Sequence, residues 1–275
     1  MKHPEDAFLS EELLDLEWEK LNYMGRPDRR EAQKEFIQLM ELLQKFGIEI
    51  ITLPQAKYVG LDSIYTRDAS VVTDKGAILC NMGKKERKGE PEAQNIFYKD
   101  SGVSVLGKIV GNGTIEGGDV TWLDPHTLAV GLGYRTNDEG IRQLKALIGP
   151  EVDVIPVALP HFRGPKDVLH LMSILSPIDK DLAVVYSPLM SVSFRKLLIA
   201  KGFDLIDISE EEYDSLASNV LAVAPRVCVM AEGSPKTKKR LEDHGVEVEI
   251  FSGAEICLKG TGGPTCLTRP LEREI

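Results

Sequence analysis

Residues 31–53 read EAQKEFIQLMELLQKFGIEIITL: a charged stretch of helical period, a glycine, then a short β-rich run. Phe36, Met40, Leu43 and Phe46 recur at three- and four-residue spacing, which gathers them on one helical face. Gly47 stands where such a helix needs a left-handed C-terminal cap. The pattern returns four more times: EAQNIFYKDSGVSVLGKIV around Gly102, NDEGIRQLKALIGPEVDVIPV around Gly149, FRKLLIAKGFDLIDI around Gly202 and SPKTKKRLEDHGVEVEIF around Gly245. Between these units lie apolar, β-branched runs, AILCNM at 77–82, TLAVGLG at 127–133, LAVVYSP at 182–188 and VCVMAEG at 227–233, which fit buried strands. The five glycines are near-evenly spaced, and no Pro/Ser-rich linker or low-complexity tract separates the units. This predicts a single α/β domain over residues 1–275, made of five quasi-equivalent strand-helix modules. A radial arrangement follows, because closed repetition leaves few exposed sheet edges. An open doubly wound sheet also alternates strand and helix, but no GxGxxG or phosphate-loop pattern follows the first strand.

Composition narrows the function. A formal net charge of -10 argues against a nucleic-acid partner, since phosphate binding draws on clustered Lys and Arg. The one basic cluster of note, Lys84, Lys85, Arg87 and Lys88, reads as a solvated loop. No apolar stretch approaches the roughly 20 residues of a membrane span. The N-terminal MKHPEDAFLSEELLDLEWEK is acidic and polar where a signal peptide would be basic and then apolar, so a cytoplasmic protein is expected. Cys80, Cys228, Cys257 and Cys266 form no CxxC pair, and there is no HExxH motif or dinucleotide fingerprint, so neither metal nor organic cofactor is expected. A homo-oligomer is left open.

Four short blocks carry the candidate chemistry: IYTRDAS around Asp68, IEGGDVTWLD around Glu116 and Asp119, DVLHLMS around His170, and GTGGPTCLTRPLERE around Cys266. Singly, each has an ordinary structural explanation. Together they bring one thiol, one imidazole and several carboxylates from different modules. A cysteine in a glycine-rich loop has open backbone around it and amides that can stabilise a thiolate, which marks Cys266 as the reactive one. The other three cysteines read as small apolar core residues. Of the histidines, His3, His126 and His244 lie at a terminus, a turn and a helix end. His161 sits in a wet HFRGP loop, whereas Val168, Leu169 and Leu171 around His170 imply partial burial, where an imidazole needs a partner such as a carboxylate.

In this order, and over nearly the whole chain, the four blocks resemble the guanidino-group-modifying superfamily of arginine deiminases, dimethylarginine dimethylaminohydrolases and amidinotransferases. The resemblance implies a five-fold pseudosymmetric α/β-propeller, the pentein fold, and a small-molecule guanidino substrate. It implies Cys266 as the nucleophile on the guanidino carbon, His170 as general acid then base, and Glu116 as the carboxylate that holds the guanidinium near that histidine. Asp68 matches the second guanidinium ligand. Arg135 in GLGYRTN and Arg87 in NMGKKERKGE match positions that bind a substrate α-carboxylate or order the pocket, and Asp119 joins the substrate-binding set or braces the EGGD turn. Bottom-up chemistry agrees, since an arginine side chain keeps its charge at ordinary pH and a pocket burying it must supply opposed carboxylates.

The pattern also departs from its relatives. Where arginine deiminases carry a guanidinium-gripping aspartate two residues after the histidine, this chain has Met172; where dimethylargininases carry an acid, it has Arg67. The balance leans toward a dimethylargininase-like hydrolase giving citrulline plus ammonia or an alkylamine. Arginine deiminase and amidinotransferase are the alternatives, and a non-catalytic binding protein on the same propeller, as in a ribosome-associated initiation factor, is the rival of a different class. A papain-like hydrolase lacks a matching Asn or Gln partner.

Overall fold

The computed structural model describes residues 1–167 and 169–272, so Val168 and the last residues of the LTRPLERE run lie outside the described residues. Helices α1 (Pro4–Phe8) and α2 (Glu11–Glu17) precede α3 (Arg29–Lys45), whose N-cap Asp28 accepts from the amides of Arg30 and Glu31. Four modules then follow one plan, a hairpin, a helix and a third strand. They are β1 (Ser70–Thr73), β2 (Gly76–Leu79), α4 (Glu90–Asp100) and β3 (Val105–Lys108); then β4 (Val120–Asp124), β5 (Thr127–Leu132), α5 (Asp138–Ile148) and β6 (Asp153–Ala158). The third has β7 (Leu175–Asp179), β8 (Leu182–Val185), α6 (Val192–Ala200) and β9 (Asp204–Asp207), and the fourth β10 (Leu221–Ala224), β11 (Val227–Ala231), α7 (Pro235–Asp243) and β12 (Glu247–Phe251). A last short helix, α8 (Pro264–Leu267), carries the candidate cysteine.

Within each sheet the first two strands pair antiparallel and the third joins the second in parallel, as in the Leu128–Val154 and Val130–Pro156 pairs of β5 and β6. A parallel third strand needs a crossover, and the helix supplies it. The turn out of each helix explains the repeated glycine: Gly47, Gly102, Gly149, Gly202 and Gly245 sit at φ 73°, 74°, 102°, 90° and 76°. A side chain with a Cβ is strained there.

The fifth module is reduced. After α3 the run 48–53 forms no three-stranded sheet among the described residues; Leu53 makes an isolated parallel bridge to Lys2, and the Met1 amino group donates to the Ile51 carbonyl. Ile48 and Ile50 pack against the apolar core while Ile51 is exposed, and Pro54 withholds the next donor, so the β-rich run lacks a continuous ladder. The architecture is the expected five-fold α/β-propeller with one abbreviated blade.

Separate apolar clusters fill the space between neighbouring modules. Leu175, Val184 and Leu198 belong to one, Phe8, Phe36 and Leu39 with Phe251 to a second, and Ile78, Val130 and Leu144 to a third. Cys228 and Cys257 are fully buried among them and Cys80 nearly so. This leaves the segments entering β1, β4, β7 and β10 free to carry chemistry at one convergence.

Nothing lies within 4 Å of a Cβ built on Gly102, so Gly102→Ala isolates backbone strain from packing. The expected cost is about 1 kcal/mol, read as a lower urea midpoint at unchanged m-value. A neutral substitution would mean that the turn relaxes to negative φ.

Candidate active site

The segment entering each module's first strand delivers one polar group. Asp68 stands two residues ahead of β1, Asp119 directly ahead of β4, His170 at the head of the turn leading to β7, and Asn219 two residues ahead of β10. The cysteine turn is tied to the first of these: Arg67 N donates to Cys266 O at 3.1 Å, Arg67 Nε to Thr265 O at 2.9 Å and Thr66 Oγ1 to Leu267 O at 3.2 Å. Backbone bonds therefore fix the distance between Cys266 and Asp68.

Glu116 is the hub. Its Oε2 lies 2.8 Å from His170 Nε2 and 3.1 Å from Arg135 Nη1, while its Oε1 accepts from the Lys84 backbone amide at 2.9 Å. Burial alone would raise this carboxyl, but Arg135 and His170 hold it below the ordinary range. For His170 the balance runs the other way. Burial would lower the imidazole, yet Asp68, Asp119 and Glu116 outweigh it and raise it to about 9. With Nε2 engaged by Glu116, it is Nδ1 that lies 3.9 Å from Asp68 Oδ1.

The EGGD glycines exist for close approach. A Cβ on Gly118 would collide with His170 Nδ1 and come 2.7 Å from Asp68 Oδ1, and one on Gly117 would strike the Arg67 carbonyl. Asp119 is fully buried and does not line the cleft: its carboxylate accepts from Leu171 N at 3.0 Å and Thr136 Oγ1 at 2.7 Å. Of the two readings of Asp119, substrate ligand or brace, these contacts favour the brace. Burial pushes it up to about 6, and its work is to brace the turn that presents the histidine.

Arg87 lines the cleft, with most of its donors already engaged by the protein. It is buried, with Nε and Nη2 on Glu90, Nη1 on Asp68 Oδ2, and Nη2 also on the carbonyls of Asp62 and Tyr65. It orders the pocket, and the basic run read as a solvated loop splits, Arg87 buried and Lys84 partly so while Lys85 and Lys88 stay exposed. Arg135 lines the cleft as well, using Nη1 on Glu116. Met172 is buried without lining it.

Cys266 also departs from the open glycine-rich loop expected of it. It sits in α8, only 9% exposed, and its thiol is raised by burial first and by Asp68 second. Asn219, Thr265 and Arg67 oppose that rise. Asn219 Nδ2 donates to Sγ at 3.3 Å, and its Oδ1 accepts from Thr265 N at 3.1 Å and Thr265 Oγ1 at 2.7 Å, which locks the amide in place. Sequence reasoning missed Asn219; its position ahead of β10, equivalent to that of Asp68 ahead of β1, was the available signal.

The cleft lined by Leu21, Asn22, Asp62, Tyr65, Lys84 and the 260–262 turn, together with Asp68, His170 and Cys266, encloses about 20 Å³. A larger groove of about 270 Å³ shares Arg135 but is walled by Tyr134, His161 and Phe162 and holds no thiol. Asp68, Glu116 and His170 offer atoms within 4.8 Å of one another, a spacing open to a metal ion. Both carboxylates already carry an arginine, and a protonated imidazole cannot ligate, so the set suits an organic cation better.

Two outcomes follow. The His170 ring should titrate near about 9 by NMR, and Glu116→Gln should lower that value by about one unit or more. Because the folded value lies above the ordinary 6.5, protonated His170 stabilises the fold fully below that pH, and the contribution is lost as pH rises through about 9. Asn219→Ala should raise the Cys266 thiol further and slow its alkylation by about tenfold at pH 8; an unchanged rate would mean that the amide has no hold on the sulfur.

Comparison with known proteins bears on this geometry. The family model described as N,N dimethylarginine dimethylhydrolase, eukaryotic, matches residues 19–273. The Bacillus subtilis protein YkgA, itself called uncharacterized, is 30% identical over 243 residues, 88% of this chain and 80% of its own length. Among solved structures, a mutant of DDAH from Pseudomonas aeruginosa complexed with citrulline is 26% identical, covers 90% of each chain and superposes with a TM-score of 0.75. The product-bound N-terminal domain of ArgZ, an arginine dihydrolase from cyanobacteria, is alike in fold, with a TM-score of 0.85 at 19% identity over 99% of this chain and 96% of its own. This chain belongs to the N,N-dimethylarginine dimethylhydrolase family, a family of guanidino hydrolases within the guanidino-group-modifying pentein superfamily.

Proposed function

We propose that this protein is a cysteine-dependent hydrolase of the guanidino carbon of arginine, an N-methylated arginine or a close arginine derivative. The observation that carries the reading is Asp68 Oδ1: a buried carboxylate oxygen that accepts no hydrogen bond, in the cleft that also holds Cys266 and His170. An unpaired buried acceptor is costly, and a guanidinium N–H answers it.

The proton inventory sets the sequence of steps. In the free protein His170 carries its proton and Cys266 is a thiol, so the imidazolium is an acid and no base is waiting for the thiol. A bound guanidinium beside the sulfur favours loss of the thiol proton to solvent. The thiolate then forms a bond to the guanidino carbon, and His170 Nδ1 gives its proton to the departing amine as the C–N bond breaks. The remaining S-alkylthiouronium is attacked by water, whose proton goes to the now neutral His170. The C–S bond breaks, the thiolate is restored, the hydroxyl proton passes to solvent as the C=O forms, and a ureido product leaves, citrulline if arginine or a methylated arginine entered. Glu116 holds the ring through Nε2 in both directions, and Asp68 orients the guanidinium. The assigned catalytic set is Cys266, His170 and Glu116, with Asp68 and Arg135 toward the substrate and Arg87 and Asp119 behind them.

Acid quench and mass spectrometry of a His170→Gly variant should find the adduct on the peptide containing Cys266, because hydrolysis has lost its base. Cys266→Ser should lower kcat/KM by about a thousandfold or more. In oxygen-18 water with EDTA present, the ureido oxygen should carry the label at an undiminished rate. Transfer of the amidino group to an amine without label would sink hydrolysis, and an adduct on another cysteine would sink the nucleophile.

A further inference from the structure

Lys84 enters the cleft from above the catalytic carboxylate. Its backbone amide and Arg135 Nη1 converge on the same oxygen, Glu116 Oε1, at 2.9 and 3.3 Å. Its side chain, only 14% exposed, reaches across the rim: Nζ lies 2.6 Å from Asp62 Oδ2 and 2.8 Å from the Leu21 carbonyl. An ammonium has three donors, so one remains. Arg135 in turn keeps Nε and Nη2 without a hydrogen bond among the described residues.

The carboxylates lining the cleft are Asp62 and Asp68, and they differ in state. Asp68 has an open oxygen at the reacting end. Asp62, at the rim, is neutralised by Lys84 within a buried pair. The cleft thus offers a cation site at Asp68 and two further cationic side chains, Lys84 and Arg135, with unused donors. A ligand ammonium arriving at the rim would have to break the Lys84–Asp62 pair and leave Lys84 poorly solvated, whereas a carboxylate would complete both cations.

Resting on the guanidino-hydrolase reading above, we propose that Lys84 selects ω-guanidino carboxylic acids that lack a free α-ammonium group, such as a guanidinoalkanoate or an α-N-acylated arginine. Lys84 occupies the carboxylate that an amino-acid ammonium would need and presents, with Arg135, the cations that a distal carboxylate needs.

The test compares kcat/KM for 4-guanidinobutyrate, α-N-acetylarginine, arginine and agmatine in the wild type, Lys84→Met, Asp62→Asn and the double variant. Lys84→Met keeps the backbone bond to Glu116, so the catalytic hub stays intact. The wild type should favour the two acids over arginine and agmatine by about tenfold or more. Lys84→Met should shift the ratio at least about tenfold toward arginine and agmatine, and adding Asp62→Asn should abolish that gain, since it depends on a freed Asp62. Wild-type preference for arginine or agmatine, or an equal loss on every substrate in Lys84→Met, would overturn the proposal. Calorimetric binding of the same four compounds to Cys266→Ser reads the preference without turnover. Acid-selective binding there supports Lys84 even if no ureido product forms, in which case the reaction assignment alone fails; arginine-selective binding overturns Lys84 whatever the reaction.

Discussion

Glu116 has no solvent exposure, yet it keeps its charge, and the rest of the site is arranged to make that tolerable. An isolated carboxylate in such a place would take up a proton. Here the oxygens meet the Arg135 guanidinium, the His170 ring and the Lys84 amide, donors from three different modules. The pseudosymmetric ring brings those modules' edges to one point, and the buried charge fixes their positions once they arrive. Fold and electrostatics constrain each other: no single module contains enough partners to hold this group, and breaking one contact leaves the others facing an uncompensated charge.

That arrangement explains the division of labour among acidic residues of similar appearance. Asp119 works behind the histidine through Leu171 N and Thr136, Asp68 has one oxygen on Arg87 and one without a hydrogen bond, and Glu116 bonds the histidine's Nε2. Arginines divide likewise: Arg87 lines the cleft while paired with Glu90 and Asp68, and Arg135 lines both the cleft and the larger groove.

Much of the fold was legible in the sequence because a helix ending in a left-handed glycine leaves a local signature, and all five such glycines have positive φ. The abbreviated fifth blade was not, since the 48–53 run has strand composition and only its lack of a paired neighbour distinguishes it. Within the site, the thiol, the imidazole and the acids were visible because those side chains announce chemistry on their own. Asn219 carried only a positional signal, since a neutral amide acquires its role from a sulfur 47 residues away in sequence. Lys84 was hidden differently, inside a basic run whose average exposure says nothing about one member folded inward. Cys266 was legible in identity but not in state, because neighbouring glycines suggested openness where tertiary packing produced burial.

The buried, protonated state of Cys266 has a consequence for the protein's chemical durability. Oxidants such as peroxide and adventitious electrophiles react with thiolates, and sulfur oxidised beyond the sulfenic state is lost to further chemistry. A cysteine that is largely buried and held as a thiol offers little thiolate to such reagents. On the mechanism proposed above, the anion forms once a cationic ligand has entered beside the sulfur. On that mechanism sulfur reactivity rises when the site is filled, so the redox vulnerability of Cys266 depends on occupancy as well as on the oxidant concentration around it.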